Sequence, residues 1–257
     1  MLGIMAKVPK FRLDQLLVAR GLTESRSRAQ AMIMAGKVFS GERRLEKAGS
    51  QIAEDAPLEV RGQDHPWVSR GGLKLDFGLT HFGVDPTDSI CLDVGASTGG
   101  FTDVLLSRGA RKVYAVDVGR GQLAWRLRQD DRVDVLEKTN ARYLTREQIP
   151  EPIGLIVCDA SFIGLQTVLP APLSLAAPTA NLMTLIKPQF EVGRGQVGKG
   201  GVVRDRDLHQ EVGDRIAGWL DGLVGWRALG VIESPITGPE GNREFLLCGA
   251  YDAETDR

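Results

Sequence analysis

Short apolar runs recur along the C-terminal two-thirds of the chain, divided by stretches whose apolar residues fall at helical spacing. The runs "SICLDV", "KVYAVDV", "VDVLEK", "IGLIVCD", "NLMTLIK", "WRALGVIES" and "REFLLCGA" predict seven strands. The clearest helix between them is "DLHQEVGDRIAGWLDGL", with Leu208, Val212, Ile216 and Leu220 on one face. Near-continuous apolar strands separated by helices predict an α/β fold with a mostly parallel, doubly wound sheet. Only "PITGPEGN" joins the last two strands. A parallel crossover needs a dozen or more residues, so this pair is an antiparallel hairpin.

The first sixty residues carry another pattern. In "FRLDQLLVARG", Leu13, Leu16 and Leu17 lie at i, i+3 and i+4, and Gly21 is placed to end that helix in the left-handed conformation. Thr23 or Ser25 can cap a second helix, "SRSRAQAMIMAG", which stops at Gly36. "KVFSGERRL" reads as a strand, a turn and a return, with "PLEV" as a closing strand. The segment "RGQDHPWVSRGG" is rich in glycine and charge, which marks a boundary. The expected organisation is a small α+β domain over residues 1–62, a linker over 63–70 and the α/β domain over 71–257. A helix should open that domain, with Leu73, Phe77 and His81 on one face. Trp67 reads as a packing anchor, and Trp125, Trp219 and Trp226 as core.

Charge changes the picture more than composition does. The 257 residues are 42% hydrophobic and 25% charged with a net charge of −1, which suits a globular protein. From Lys7 to Lys47, however, ten Lys/Arg face four Asp/Glu. A basic end on an acidic remainder predicts a polyanionic partner met by the N-terminal domain. Arg26 and Arg28 stand in the first helical turn, where the helix dipole disfavours cations, so an anion is expected there. Cys91, Cys158 and Cys248 lie far apart in apolar stretches and read as free thiols of a reducing compartment. With no apolar run of membrane-spanning length and no signal-peptide pattern, a cytoplasmic location is expected.

The first strand runs into "LDVGASTGGF". Ser97 falls where a dinucleotide fingerprint needs its second glycine, and no Lys–Ser/Thr pair follows as a P-loop requires. In an open parallel sheet, ligands bind beyond the carboxyl ends of the strands. Asp93, Asp117, Asn140, Asp159 and Lys187 all fall there. Asp117, 22 residues after Gly95, is spaced to accept from both hydroxyls of a ribose. Asp93 would repel a pyrophosphate but could hold an ammonium group. An adenosine with an amino-acid end and no phosphate is S-adenosylmethionine. The expected cofactor site is Asp93, Gly95, Ala96, Ser97, Gly99, Gly100, Phe101, Asp117, Asn140 and Ala141.

At this point the chain resembles a known group. The C-terminal part is similar to the FtsJ-like RNA ribose 2′-O-methyltransferases, and with its N-terminal part the whole resembles the TlyA (hemolysin A) family. The matching stretches are "RLDQLLVARGLTESRSRAQAMIMAGKV" for an S4-type RNA-binding domain, "SRGGLKL", "LDVGASTGGF", "VCDASFI", "LIKPQFEVGRGQVGKGGVVRD" and "SPITGPEGNREFLL". The resemblance implies a Rossmann-like methyltransferase domain and a catalytic tetrad of Lys74, Asp159, Lys187 and Glu244. It also implies cytidines of ribosomal RNA, in the small subunit, the large one or both, as substrate. A ribose hydroxyl is a weak acid that must lose its proton during in-line attack on the methyl group. Lys187, partly desolvated, would act as general base or orient the oxygen, while Lys74 stabilises the developing alkoxide. Asp159 and Glu244 would hold the two lysines.

Arg12, Arg20, Arg26, Arg28, Lys37, Arg43 and Arg44 make up the expected RNA-binding patch. Arg194 and Lys199 belong to a glycine-rich loop after Lys187 that could close on phosphates. His65, His81 and His209 are scattered without ligand partners, so no metal site is expected. The partners expected are ribosomal subunits, with the chain acting as a monomer and without a membrane. Three rival readings are a nicotinamide-dependent oxidoreductase, a non-catalytic ribosome assembly factor and a membrane-active hemolysin.

Overall fold

The computed structural model describes residues 9–23, 25–61, 65–238 and 241–254. In the N-terminal part, β1 (Lys10–Arg12) leads into α1 (Leu13–Ala19) and α2 (Arg26–Met34). These are followed by β2 (Val38–Ser40), β3 (Arg43–Arg44), β4 (Gln51–Ala53) and β5 (Leu58–Val60). Gly21 does end α1 with φ +65°, and the Leu22 N–H reaches back to Leu17 O at 2.8 Å, a Schellman closure. Ser25 caps α2 by accepting from Arg28 N. The strand β2 pairs with both β3 and β5, as the pattern predicted. A second pairing, β1 with β4, escapes sequence reading because each strand has only three residues. Leu13, Leu17, Ala29, Ile33 and Val38 form the core of this part.

The larger part opens with α3 (Gly71–Phe82) and continues β6 (Ile90–Val94), α4 (Gly100–Ser107), β7 (Lys112–Val116), α5 (Trp125–Arg128), β8 (Val133–Leu136) and β9 (Ile153–Cys158). Then follow α6 (Leu165–Val168), α7 (Pro170–Leu173), β10 (Ala176–Ile186), α8 (Pro188–Glu191), α9 (Arg206–Asp221), β11 (Trp226–Glu233) and β12 (Phe245–Asp252). All seven predicted strands share one sheet in the order β11-β12-β10-β9-β6-β7-β8. Pairings from β10 through β8 are parallel, whereas β12 runs antiparallel to both β10 and β11.

Successive strand residues point to opposite faces, and both faces are covered. Cys91, Leu155 and Met183 pack on one side with Leu75 and Leu79 of α3 and Val104 and Leu105 of α4. Leu92, Ile156 and Leu182 pack on the other with Ile216 and Leu220 of α9. The face of α3 that packs is therefore Leu75/Leu79 with Gly72 and Gly78, not the expected Leu73/Phe77/His81, which is half-buried or exposed. Trp226 is buried, but Trp125 is 59% exposed rather than core, because α5 is one turn on the sheet's flank. The three cysteines are free and buried.

From β6 the chain winds to β7 and β8 on one side, then crosses to β9 and β10 on the other. The reversal leaves a crevice beyond the carboxyl ends of β6 and β9, the place where doubly wound sheets bind ligands.

Candidate active site

The loop after β6 is compressed on every side. Gly99 stands at φ +95°, and a Cβ there would lie 2.3 Å from Leu127 Cδ1. A Cβ on Gly100 would meet Ser69 Oγ at 2.3 Å. Ser97 also takes a left-handed φ of +48°, and its N–H donates to Asp117 Oδ2 at 2.8 Å. Asp117 thus closes the loop, its other oxygen accepting from Gly119 N at 2.6 Å.

Gly95, Ala96, Ser97, Gly100 and Phe101 line one wall of a cavity of about 230 Å³. Lys74, Asp159, Lys187 and Glu244 line the same cavity. Topology explains their convergence. Asp159 follows β9 and Lys187 follows β10, both at parallel carboxyl ends; β12 runs the other way, so Glu244 precedes it on the same rim, with Phe245 opposite Ile186. Lys74 reaches the rim from the first turn of α3.

The four side chains form two ion pairs. The Lys74 ammonium donates to Glu244 Oε2, and both are almost fully buried, with Glu244 1% exposed. Lys187 Nζ lies 2.5 Å from Asp159 Oδ1. That contact is off hydrogen-bond alignment, and the aligned bonds run to Ser161 Oγ at 2.9 Å and Asp159 O at 3.2 Å. The Asp159 carboxylate, the Asp159 carbonyl and the Ser161 hydroxyl together hold Lys187 in one orientation at the cavity.

Some expected residues stand elsewhere. Asp93 does not line the cavity. Its carboxylate is fully buried, and one oxygen accepts from Thr102 N at 2.9 Å and Thr102 Oγ1 at 2.6 Å, while the other has no partner among the described residues. Asp93 thereby ties the end of β6 to the first turn of α4. Burial pushes the Asp93 carboxyl up to about 7 against the Thr102 hydrogen bonds, and the Asp159 charge adds to the rise. Asn140 accepts from Arg142 N at 3.2 Å, capping a short turn, and Ala141 packs into the core. Both lie off the cavity wall, as does Asp117, on the flank of β7 and β8.

Ser69, Arg70 and Ser161 line the cavity without having been singled out from sequence. Ser161 had a usable signal, two residues beyond the strand-end Asp159. Beside it Phe162 is 90% exposed at φ +64°. The linker is pinned by Val68 N donating to Asp103 Oδ2 at 2.8 Å, and Trp67 packs against Gly72 as an anchor.

The basic patch is partly self-neutralised. Arg12 and Arg26 both pair at 3.0 Å with the buried Asp14, so Arg26 answers an internal carboxylate rather than an external anion. The Arg12 hydrogen bond holds the Asp14 carboxyl far below its ordinary range, with Gln30 and Arg26 assisting against burial. Arg20 donates to Ala56 O at 2.5 Å and Arg44 pairs with Glu46. Lys37 is half-buried, while Arg28, Arg43 and Lys199 are exposed. The Arg194 side chain lies outside the described residues. Among the described residues no group of three or more His, Cys, Asp or Glu could hold a metal, and no helix is long and apolar enough to cross a membrane.

Comparison with known proteins agrees with this geometry. Residues 67–251 match the FtsJ-like methyltransferase family and residues 11–56 the S4 domain. A candidate rRNA methyltransferase of Bacillus subtilis, YqxC, is 50% identical over 93% of this chain and 85% of its own. The 16S/23S rRNA (cytidine-2′-O)-methyltransferase TlyA of Mycobacterium tuberculosis is 49% identical over 96% of this chain and 91% of its own. The solved structure of a candidate hemolysin from Streptococcus thermophilus superposes with a TM-score of 0.74 at 41% identity, covering 96% of this chain and 90% of that one. The match over residues 67–251, together with the doubly wound sheet, makes this chain a methyltransferase. The chain belongs to the TlyA (hemolysin A) family of FtsJ-like methyltransferases that carry an S4 domain.

Proposed function

We propose that this chain transfers a methyl group from S-adenosylmethionine to the 2′-hydroxyl of a cytidine in ribosomal RNA. The observation that carries the reading is the pair of ion pairs, Lys187–Asp159 and Lys74–Glu244, lining one cavity with residues of the Gly95–Phe101 loop. When bound, the cofactor supplies an electrophilic methyl group on a sulfonium. The loop suits it: no lysine or arginine stands on it to serve a pyrophosphate, and Gly95, Ala96, Ser97, Gly100 and Phe101 line the cavity. Asp117 and Asn140, which follow β7 and β8, would meet the adenosine end.

Lys187, once it has given one ammonium proton to solvent, takes the proton of the ribose hydroxyl as the oxygen attacks, with Asp159 and Ser161 holding its nitrogen in place. Lys74, fixed by Glu244, offers positive charge where the alkoxide develops. Preorganised charges in a site shielded from solvent are worth more than in water, which is how such a site lowers the barrier. The S4 part supplies backbone-directed RNA binding through Arg28, Arg43 and neighbours, and ribosomal subunits would be met in the cytoplasm by a monomer. The homologue's name supports cytidine as the target base and both subunits as substrates.

Transfer of labelled methyl groups to separated small and large subunits tests the reading, with Lys187→Ala as control. Methylation of at least one subunit, lost in the variant, is expected. No transfer, or transfer indifferent to the substitution, would overturn it in favour of an assembly factor.

A further inference from the structure

A second cavity, of about 520 Å³, lies between the two parts of the molecule. One side is built from the start of the S4 helices, with Thr23, Arg28 and Met32; the other from the linker and the β11–β12 connection, with His65, Val68 and Ile236. Ser69 and Arg70 belong to its wall and also to the wall of the catalytic cavity, so the two spaces adjoin across a single stretch of backbone.

Its chemistry is specific. Thr23 is only 5% exposed, yet its hydroxyl has no hydrogen-bond partner among the described residues, and the buried Nδ1 of His65 has none either. Buried polar atoms in native structures are nearly always paired, and two orphans among the residues that line one cavity, one from each side, point to a ligand that satisfies them. Arg28 is exposed at the same wall and, unlike Arg12, Arg26 and Arg44, makes no ion pair among the described residues. Met32, Val68 and Ile236 supply apolar surface between these groups. A cation at the mouth, apolar walls and two hydrogen-bonding atoms inside match a phosphate, a base face and a base edge. The volume is in the range of pockets that bury a ligand of nucleotide size.

We infer that this interdomain cleft holds the nucleotide next to the methylated one, splayed out of its helix, with its phosphate at Arg28 and its base edge against Thr23 and His65. The inference rests on the methyltransferase reading above and adds to it a second, non-reacting subsite. Sequence-directed RNA recognition commonly works on unpaired, splayed bases, so such a subsite would select the strand context of the target as well as its position. It also gives the junction between the S4 part and the catalytic part a reason to be open: the substrate strand completes it.

The test uses the full chain and isolated ribosomal subunits. Methyl transfer is followed as a function of subunit concentration, and S-adenosylmethionine binding is measured separately by calorimetry. Arg28→Ala, Thr23→Val and Ile236→Trp, which fills the cleft, are each expected to raise KM for the subunit, about tenfold for Arg28→Ala and Ile236→Trp. The kcat and cofactor affinity should stay within about twofold. Arg28→Ala combined with Ile236→Trp should cost less than the product of the two, because both act on one bound nucleotide; Arg43→Ala with Ile236→Trp should multiply. Ultraviolet crosslinking of the complex should place an RNA adduct on a cleft peptide. Unchanged KM in Ile236→Trp and Thr23→Val, or a cleft crosslink to a ribosomal protein, would overturn the subsite while leaving methyl transfer intact. A wild-type chain that binds cofactor and methylates neither subunit would instead overturn the function it rests on.

Discussion

Ser161 accepts a hydrogen bond from the Lys187 ammonium at 2.9 Å, and with Asp159 it fixes where that charge points. The bond ties β10's end to the loop after β9, so the base-side lysine is oriented by two residues of one turn. Ser161→Ala should lower kcat for methyl transfer about tenfold, the size expected for one hydrogen bond to a charged group. Cofactor binding should be untouched, and Ser161→Thr should keep most of the activity. Wild-type kcat in Ser161→Ala would show that Asp159 alone positions the lysine.

Lys74 and Glu244 are a buried pair, and their two roles can be separated. Glu244→Ala leaves an ammonium without its partner in the interior, which typically costs about 3–5 kcal/mol. Replacing both, as Lys74→Met with Glu244→Leu, removes the unpaired charge and should recover most of the stability in equilibrium urea unfolding. Methyl transfer should stay absent in both variants. A double variant as unstable as Glu244→Ala would mean that packing, not the orphaned charge, sets the cost.

The sheet was legible because its central strands, such as Ile90–Val94 and Ile153–Cys158, are buried and apolar on both faces and long enough to stand out. The tetrad was legible by resemblance, and the antiparallel sense of β12 independently put Glu244 on the rim. What was not legible were the partners. Nothing in the local sequence says that Arg26 faces Asp14, twelve positions away, or that Asp93 turns inward to Thr102. Helix α3 was read on the wrong face because its buried stripe includes Gly72, Lys74 and Gly78, which do not count as apolar signals. The interdomain cleft was invisible for a related reason: it depends on how two domains meet, which periodicity within either cannot report.

Gly99 is held at φ +95° beneath α5, where a methyl group would overlap Leu127 Cδ1 at 2.3 Å and Leu123 Cδ1 at 2.8 Å. Gly99→Ala therefore meets both backbone strain and overpacking, together about 2–4 kcal/mol. The loop would shift before the sheet unfolds, so cofactor affinity should fall at least tenfold while binding to ribosomal RNA persists. Adding Leu127→Ala makes room for the new methyl, and the double variant should cost less than the two single effects combined. Strict additivity in calorimetric cofactor binding would place the damage in the backbone alone.

Asp93 makes stability depend on pH in a direction opposite to the usual carboxylate. Its carboxyl ionises near 3.8 in an unfolded chain and is pushed up to about 7 in the fold by burial. Between those values the folded protein holds a proton that the unfolded chain has lost. The protonated group's contribution is therefore fully present below about pH 4, declines as pH rises through about 7, and is absent above. Three pK units correspond to at most about 4 kcal/mol. Asp14 acts the other way: its arginine-bonded carboxyl stabilises the fold above its unfolded value of 3.8 and loses that contribution as pH falls below it. The two windows do not overlap between pH 5 and 8, where Asp93 rather than Asp14 should contribute to the slope. The isosteric test is Asp93→Asn, because the amide oxygen can still accept both Thr102 bonds. Urea midpoints measured across that range should fall with pH in the wild type and stay nearly level in the variant. Parallel curves for the two proteins would show that Asp93 is already ionised in the fold and that its buried oxygen has found a donor.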